Sequence, residues 1–146
     1  MKKLHYSIII NSRKEKVWKT MLDPETYKLW TRAFGEGSYY EGSWGKGEKI
    51  WFLTPEGEGM FSTIVENKPF DFISIKHLGI FRNGVEDTKS PESKSWASSF
   101  ENYTLEERDG ATELKVDLDV PTEFEDFMNS TWPNALADLK KICERS

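Results

Sequence analysis

The stretch that decides the fold is ATELKVDLDVPTEFEDFMNSTWPNALADLKKICERS, Ala111 to Ser146. In its first part Leu114, Val116, Leu118 and Val120 alternate with Glu113, Lys115, Asp117 and Asp119. Such a period of two belongs to a strand with one buried and one wet face. After Pro121 the period changes. Phe124, Phe127, Met128, Thr131, Trp132, Ala135, Leu136, Leu139, Ile142 and Cys143 recur at spacings of three and four. That is one long amphipathic helix. At about 23 residues it would span ~34 Å, enough to cross a sheet. Thr122 and Glu125 read as a capping box at its start. Pro133 should remove a backbone hydrogen bond and bend it.

Upstream, the segments EKIWFLT, GMFSTIVEN, FDFISIKHL and WASSFENYTLEE read as strands, with PEG, NKP and RDG as turn signals. The chain opens with another strand, LHYSIIIN. In SRKEKVWKTML, Ser12 and Glu15 form a second capping-box signature, and Val17, Trp18, Met21 and Leu22 share one helical face. A second short helix starts at Asp23 as N-cap with Pro24 in the first turn. The glycine-rich GEGSYYEGSWGKG punctuates short strands. The polar stretch from Gly79 to Ser95 reads as one long, functional loop. The order is strand, two short helices, roughly six strands and one long helix. Consecutive strands with short turns make an antiparallel sheet, so the expected class is α+β. A curved sheet wraps the C-terminal helix, and residues 1–146 form a single domain.

Bulk properties narrow the function. Among 146 residues, aromatic side chains make up 14%, including six Trp, enough to fill a large core or line an apolar pocket. The net charge of -5 and scattered basic residues argue against nucleic acid as a partner. A lone cysteine, Cys143, permits no intrachain disulfide and sits at an apolar helix position, as a structural thiol does. No segment has the length of a signal-peptide core or a membrane span, so a soluble, cytoplasmic protein is expected. His5, His77 and Cys143 have no metal-ligand spacing. No glycine-rich loop joins a strand to a helix, and no serine sits in a nucleophile elbow. Neither a cofactor nor a metal is expected.

Several strings resemble the START-like superfamily, also called SRPBCC, of helix-grip fold. They are SRKEKVW after the opening strand, DPE followed by LW, ENKPFDFISIKHLG, ENYTLEERDGATELKV and STWPNALADLKK. Within it the chain is most similar to the branch named for the activator of the heat-shock protein 90 ATPase. The resemblance covers essentially the whole chain. It implies a cavity between a curved sheet and the last helix, where relatives hold lipids, sterols, polyketides or other hydrophobic molecules and some catalyse. It transfers no activity, because no catalytic motif matches residue by residue.

The candidate site rests on polar residues in apolar strands. In FISIKHL, Ile73, Ile75 and His77 share one face; in SSFENYTLEE, Glu101, Tyr103 and Leu105 do. If these strands are antiparallel neighbours, directly opposed residues lie ~4.5–5.5 Å apart at Cβ, within reach for His77 and Glu101 to pair. A buried carboxylate needs such a partner. The pair reads as structural, as an anchor for a ligand, as a general base, or, with the register shifted by one, as exposed. Trp132, Met128 and Phe124 on the helix should face Phe52, Trp51, Tyr103, Trp30 and Phe34 across a cavity. The expected ligand-binding set is thus His77, Glu101, Tyr103, Ile75, Phe52, Trp30, Phe34, Met128 and Trp132, with no catalytic residue assigned. The Gly79–Ser95 loop and the second short helix should form the mouth. The first function is binding of a small hydrophobic or amphipathic molecule. The alternatives are a cyclase, dehydratase or hydrolase using the same cavity, and an interaction module contacting a chaperone ATPase.

Overall fold

The computed structural model describes residues 1–145. The chain runs β1 (Lys2–Ile10), α1 (Lys14–Leu22), α2 (Pro24–Thr31), β2 (Tyr39–Gly42), β3 (Lys49–Leu53), β4 (Gly59–Lys68), β5 (Phe72–Arg82), β6 (Val85–Asp87), α3 (Pro91–Trp96), β7 (Ser99–Arg108), β8 (Ala111–Val120) and α4 (Glu125–Glu144). The sheet order is β1-β8-β7-β5-β4-β3-β2, with β6 added beside β5, and every pairing is antiparallel. β8 buries Thr112, Leu114, Val116, Leu118 and Val120 in strict alternation. α4 lays Thr131, Trp132, Ala135, Leu136, Leu139 and Cys143 against the same inner face. No helix among the described residues is long and apolar enough to cross a membrane.

The helix starts differ from both capping-box expectations. α1 begins at Lys14 with Arg13 as N-cap and no side-chain cap of its own. The Lys14 N–H donates instead to Glu107 Oε1 of β7 at 2.8 Å, so a distant strand satisfies this helix end. At the C-terminal helix, Thr122–Phe124 form a 3-10 turn without a side-chain cap, and α4 starts at Glu125 with 20 residues. Asp23 does cap α2, accepting from the Glu25 N–H, with Pro24 in the first turn. Pro133 lies inside α4.

The Gly79–Ser95 loop does not exist. β5 continues to Arg82, turns at Asn83-Gly84 and returns as β6, with Arg82 opposite Val85. Asn83 and Gly84 both have positive φ, 53° and 72°, the backbone of a two-residue type I′ hairpin. Ser90 then accepts from the Ser93 N–H and Pro91 opens α3. Asp87 fixes this corner. The Ser90 hydroxyl and N–H, the Lys89 N–H and the Arg82 guanidinium hold its carboxyl well below the usual carboxylate range. Gly79 lets the pieces close: a Cβ there would lie 2.5 Å from both the Asp87 carbonyl oxygen and Ser93 Oγ.

Leu139 is fully buried on the inner face of α4, whereas Lys141 is exposed. Leu139→Ala should cost about 2–5 kcal/mol in denaturant unfolding. Lys141→Ala should stay within about 0.5 kcal/mol of the parent. Equal effects would show that α4 does not seal the core.

Candidate functional site

The concave side of the sheet is not filled completely. A cavity of about 660 Å³ lies between α1, α2, the inner sheet face and α4. That volume is within the range of sites for drug-sized molecules, roughly 300–1,000 Å³. Cross-strand register explains which side chains line it. Tyr40 lies opposite Phe52, Phe52 opposite Met60, and Met60 opposite Ile80. The next row carries Ile50, Ser62, His77 and Ser99. A third carries Ile64, Ile75, Glu101, Leu118 and Leu4.

One irregularity changes the aim of β5. Phe61 pairs with Gly79 but Ser62 pairs with His77, so Leu78 is an extra residue. Such a bulge flips the alternation beyond it. His77 faces the cavity on one side of it; Ile80 and Arg82, not Gly79 and Phe81, line the cavity on the other.

Of the expected ligand-binding set, His77, Glu101, Tyr103, Phe52, Trp30, Phe34, Met128 and Trp132 line the cavity. Ile75 does not. It is wholly buried opposite Ile64 and Glu101 and packs in the core beneath them. Trp51 points to the outer face, where its indole N–H donates to Glu86 at 3.2 Å and Lys49 sits over its ring. Phe124 lines the cavity yet is 37% exposed. The lining also includes Tyr27 and Trp44, which sequence reasoning did not select. Tyr27 had a signal: it stands three residues before Trp30 on α2. Trp44 had none, because it lies in the glycine-rich connection between β2 and β3. The rings meet at close range, with centroids 4.9 Å apart for Tyr27–Tyr40 and 5.0 Å for Phe34–Trp132. The mouth matches the expectation only in part: Ile80 and Arg82 of the Gly79–Ser95 segment line the cavity. The lining residues most open to solvent are Thr54, Glu56 and Glu58 of the β3–β4 turn and Phe124. α2 is an inner wall.

His77 and Glu101 meet, though not face to face. His77 lies opposite Ser99 and Glu101 opposite Ile75, so the contact is diagonal. His77 Nε2 is 3.1 Å from Glu101 Oε1, and His77 Nδ1 is 2.7 Å from Ser62 Oγ. The Tyr103 hydroxyl donates to Glu101 Oε2. With Glu101 as a carboxylate, which only accepts, His77 Nε2–H is the donor to it; the Ser62 hydroxyl, able to donate or accept, is bonded to Nδ1. The order of groups is that of a hydrolytic Ser–His–acid chain, but Ser62 is fully buried behind His77 and does not line the cavity. It orients the ring and is not a nucleophile for a bound molecule.

The two tyrosines beside Glu101 are protonated donors. Burial, then the charge and hydrogen bond of Glu101, raise Tyr103 well above the ordinary 10.0. Burial, then the charges of Glu101 and Tyr40, raise Tyr27 likewise. Burial pushes the Cys143 thiol up, in keeping with a structural role. Among the described residues no group of three or more His, Cys, Asp or Glu is placed to hold a metal ion.

These shifts set an alkaline limit. Tyrosines of the unfolded chain ionise near pH ~10, below their folded values, so the stability they confer is full below that pH and lost as pH rises beyond it. In the folded protein, phenolate absorbance at high pH should report fewer than the five tyrosines present. All five should appear once denaturant is added. Complete titration in the folded state would contradict the burial of Tyr27 and Tyr103.

Neither a protein-family model nor a curated protein sequence matches the chain. Solved structures do. The protein MLL2253 from Mesorhizobium loti is 13% identical, with a TM-score of 0.78 over 99% of this chain and 98% of that one. The Aha1 dimer from Colwellia psychrerythraea is 21% identical, with a TM-score of 0.72 over 99% and 97%. CalU16 from Micromonospora echinospora is 16% identical, with a TM-score of 0.66 over 97% and 76%. At these identities the likeness is one of architecture: this chain shares their helix-grip fold.

Proposed function

We propose that the chain binds a small amphipathic molecule in the cavity between its sheet and α4. The observation that carries this reading is a cavity of about 660 Å³ with aromatic walls and a bonded polar chain, Ser62–His77–Glu101–Tyr103, at its floor. Apolar walls with a few fixed polar groups are what a small-molecule site needs, the walls for affinity and the polar groups for orientation. His77 acts indirectly. Both of its nitrogens are engaged by protein, so its part is to hold Glu101. Glu101 keeps 24% of its side chain exposed and has lone pairs to spare.

A cyclase, dehydratase or hydrolase would use the same floor but needs a group free to exchange a proton with substrate. The bonding of His77 favours binding over such chemistry. Contact with a chaperone ATPase has only the shared fold behind it.

Native mass spectrometry of the purified protein, followed by organic extraction, should reveal a bound apolar molecule. A clean apo mass, together with no saturable uptake of a neutral solvatochromic dye, would overturn the reading. His77→Ala should weaken binding by about tenfold, the scale of a lost hydrogen bond to a charged group, while circular dichroism remains that of the folded protein. Unchanged affinity would remove His77 from the anchor.

A further inference from the structure

We propose that the polar end of the ligand is a protonated amine seated on Glu101, and that the cavity disfavours carboxylates. This rests on the binding reading above and adds the charge of the ligand.

The first ground is the floor itself. Glu101 accepts from the Tyr103 hydroxyl and from His77 Nε2, and no lysine or arginine pairs with it. Its exposed quarter opens into the cavity, since Glu101 lines it from the concave face of β7. A carboxylate in such a place gains from a cationic donor and repels a second carboxylate.

The second ground is the rest of the lining. Among the described residues Glu56 and Glu58, at the mouth, make no ion pair, and Glu58 acts on Arg82 only at longer range. The one arginine of the lining, Arg82, is already held by Asp87 at 3.0 Å and Glu92 at 3.6 Å. Asp119, the remaining acid, is paired with Lys3 at 2.9 Å. An anionic ligand would therefore meet acids at the mouth and at the floor and no free cation between them.

The third ground is aromatic. Tyr27, Phe52, Trp30 and Trp132 present ring faces and edges around the path to Glu101. Rings of this kind attract an ammonium group, the more so when water is excluded. Among the described residues the Tyr27 hydroxyl has no hydrogen-bond partner, although the residue is only 9% exposed. It bears electrostatically on Glu101 and is a second polar contact for the same head group.

The test is a matched series of decylamine, decanol and decanoate at neutral pH, read by calorimetry and by displacement of a neutral solvatochromic dye. Decylamine should bind at least about tenfold more tightly than decanoate, with decanol between them. Glu101→Gln should abolish that preference, weakening decylamine by about tenfold and decanol by less. Decanoate binding as tightly as decylamine would overturn the inference and leave the binding site standing. So would an amine preference that survives in Glu101→Gln, which would reflect the overall acidity of the protein. Failure of the dye and of all three compounds to bind would remove both readings. If Glu101→Gln does not fold, nuclear Overhauser contacts in the parent protein decide. Contacts from the amine-bearing methylene to Tyr103 and Tyr27 support the assignment. Contacts only to Phe124 and Trp96 overturn it.

Discussion

One helix has to cover the concave face of an eight-stranded sheet, and it does not cover all of it. The inner stripe of α4 seals its C-terminal half completely: Ala135, Leu139 and Cys143 are at most 1% exposed. Towards the N-terminal end the cover thins. Trp132 is buried, Met128 only partly, and Phe124 and Phe127 reach solvent. At that end residues of β3, β4 and α4 line opposite sides of a gap. The gap between them is the cavity. A straight helix against a flat sheet would have left a continuous core, so the site is a consequence of curvature and helix length together.

An apolar gap alone would hold any greasy molecule. On the proposed reading, what would make this one selective is a carboxylate in a place where charge is costly. Desolvating Glu101 is tolerable only because both oxygens are bonded and the side chain keeps partial access to the cavity. The walls are not wholly without polarity. Among the described residues the indole N–H groups of Trp44 and Trp132 are buried without partners, which costs free energy and leaves two unused donors in the lining. The bonded polar groups are concentrated in one corner.

Much of this was legible in the chain because burial follows simple periods. The alternation of Ile73, Ile75 and His77, and of Glu101, Tyr103 and Leu105, places the polar pair on the inner face without any coordinates. Three features resisted. The Leu78 bulge, which turns Ile80 and Arg82 inward, has no local signature, because it depends on the partner strand. The cap of α1 comes from Glu107, far along the chain, whereas Ser12 and Glu15 offered a local alternative that the backbone does not use. Ile75 satisfies the same alternation as His77, yet depth in the sheet, which periodicity does not encode, keeps it from the cavity. By contrast, the hairpin at Asn83-Gly84 and the Ser90-Pro91 helix start carried clear turn chemistry. The polar composition of the segment masked them.

The protonation geometry of His77 ties these observations to function. A histidine that serves as a base must offer a lone pair to the substrate. Here Ser62 occupies Nδ1 from behind, across the β4–β5 pair, and Glu101 receives Nε2–H from the side. The bond to Glu101 fixes the proton on Nε2, and with Ser62 on the other edge neither nitrogen is turned toward a ligand. The bulge follows immediately after His77, so the ring stands at the last position of regular pairing, held on both edges. Rigidity of this kind suits a group whose task is to keep a carboxylate in one orientation. It is the arrangement expected of a site that recognises a charged head group by fixed geometry, with the aromatic walls left to adapt to the body that follows it.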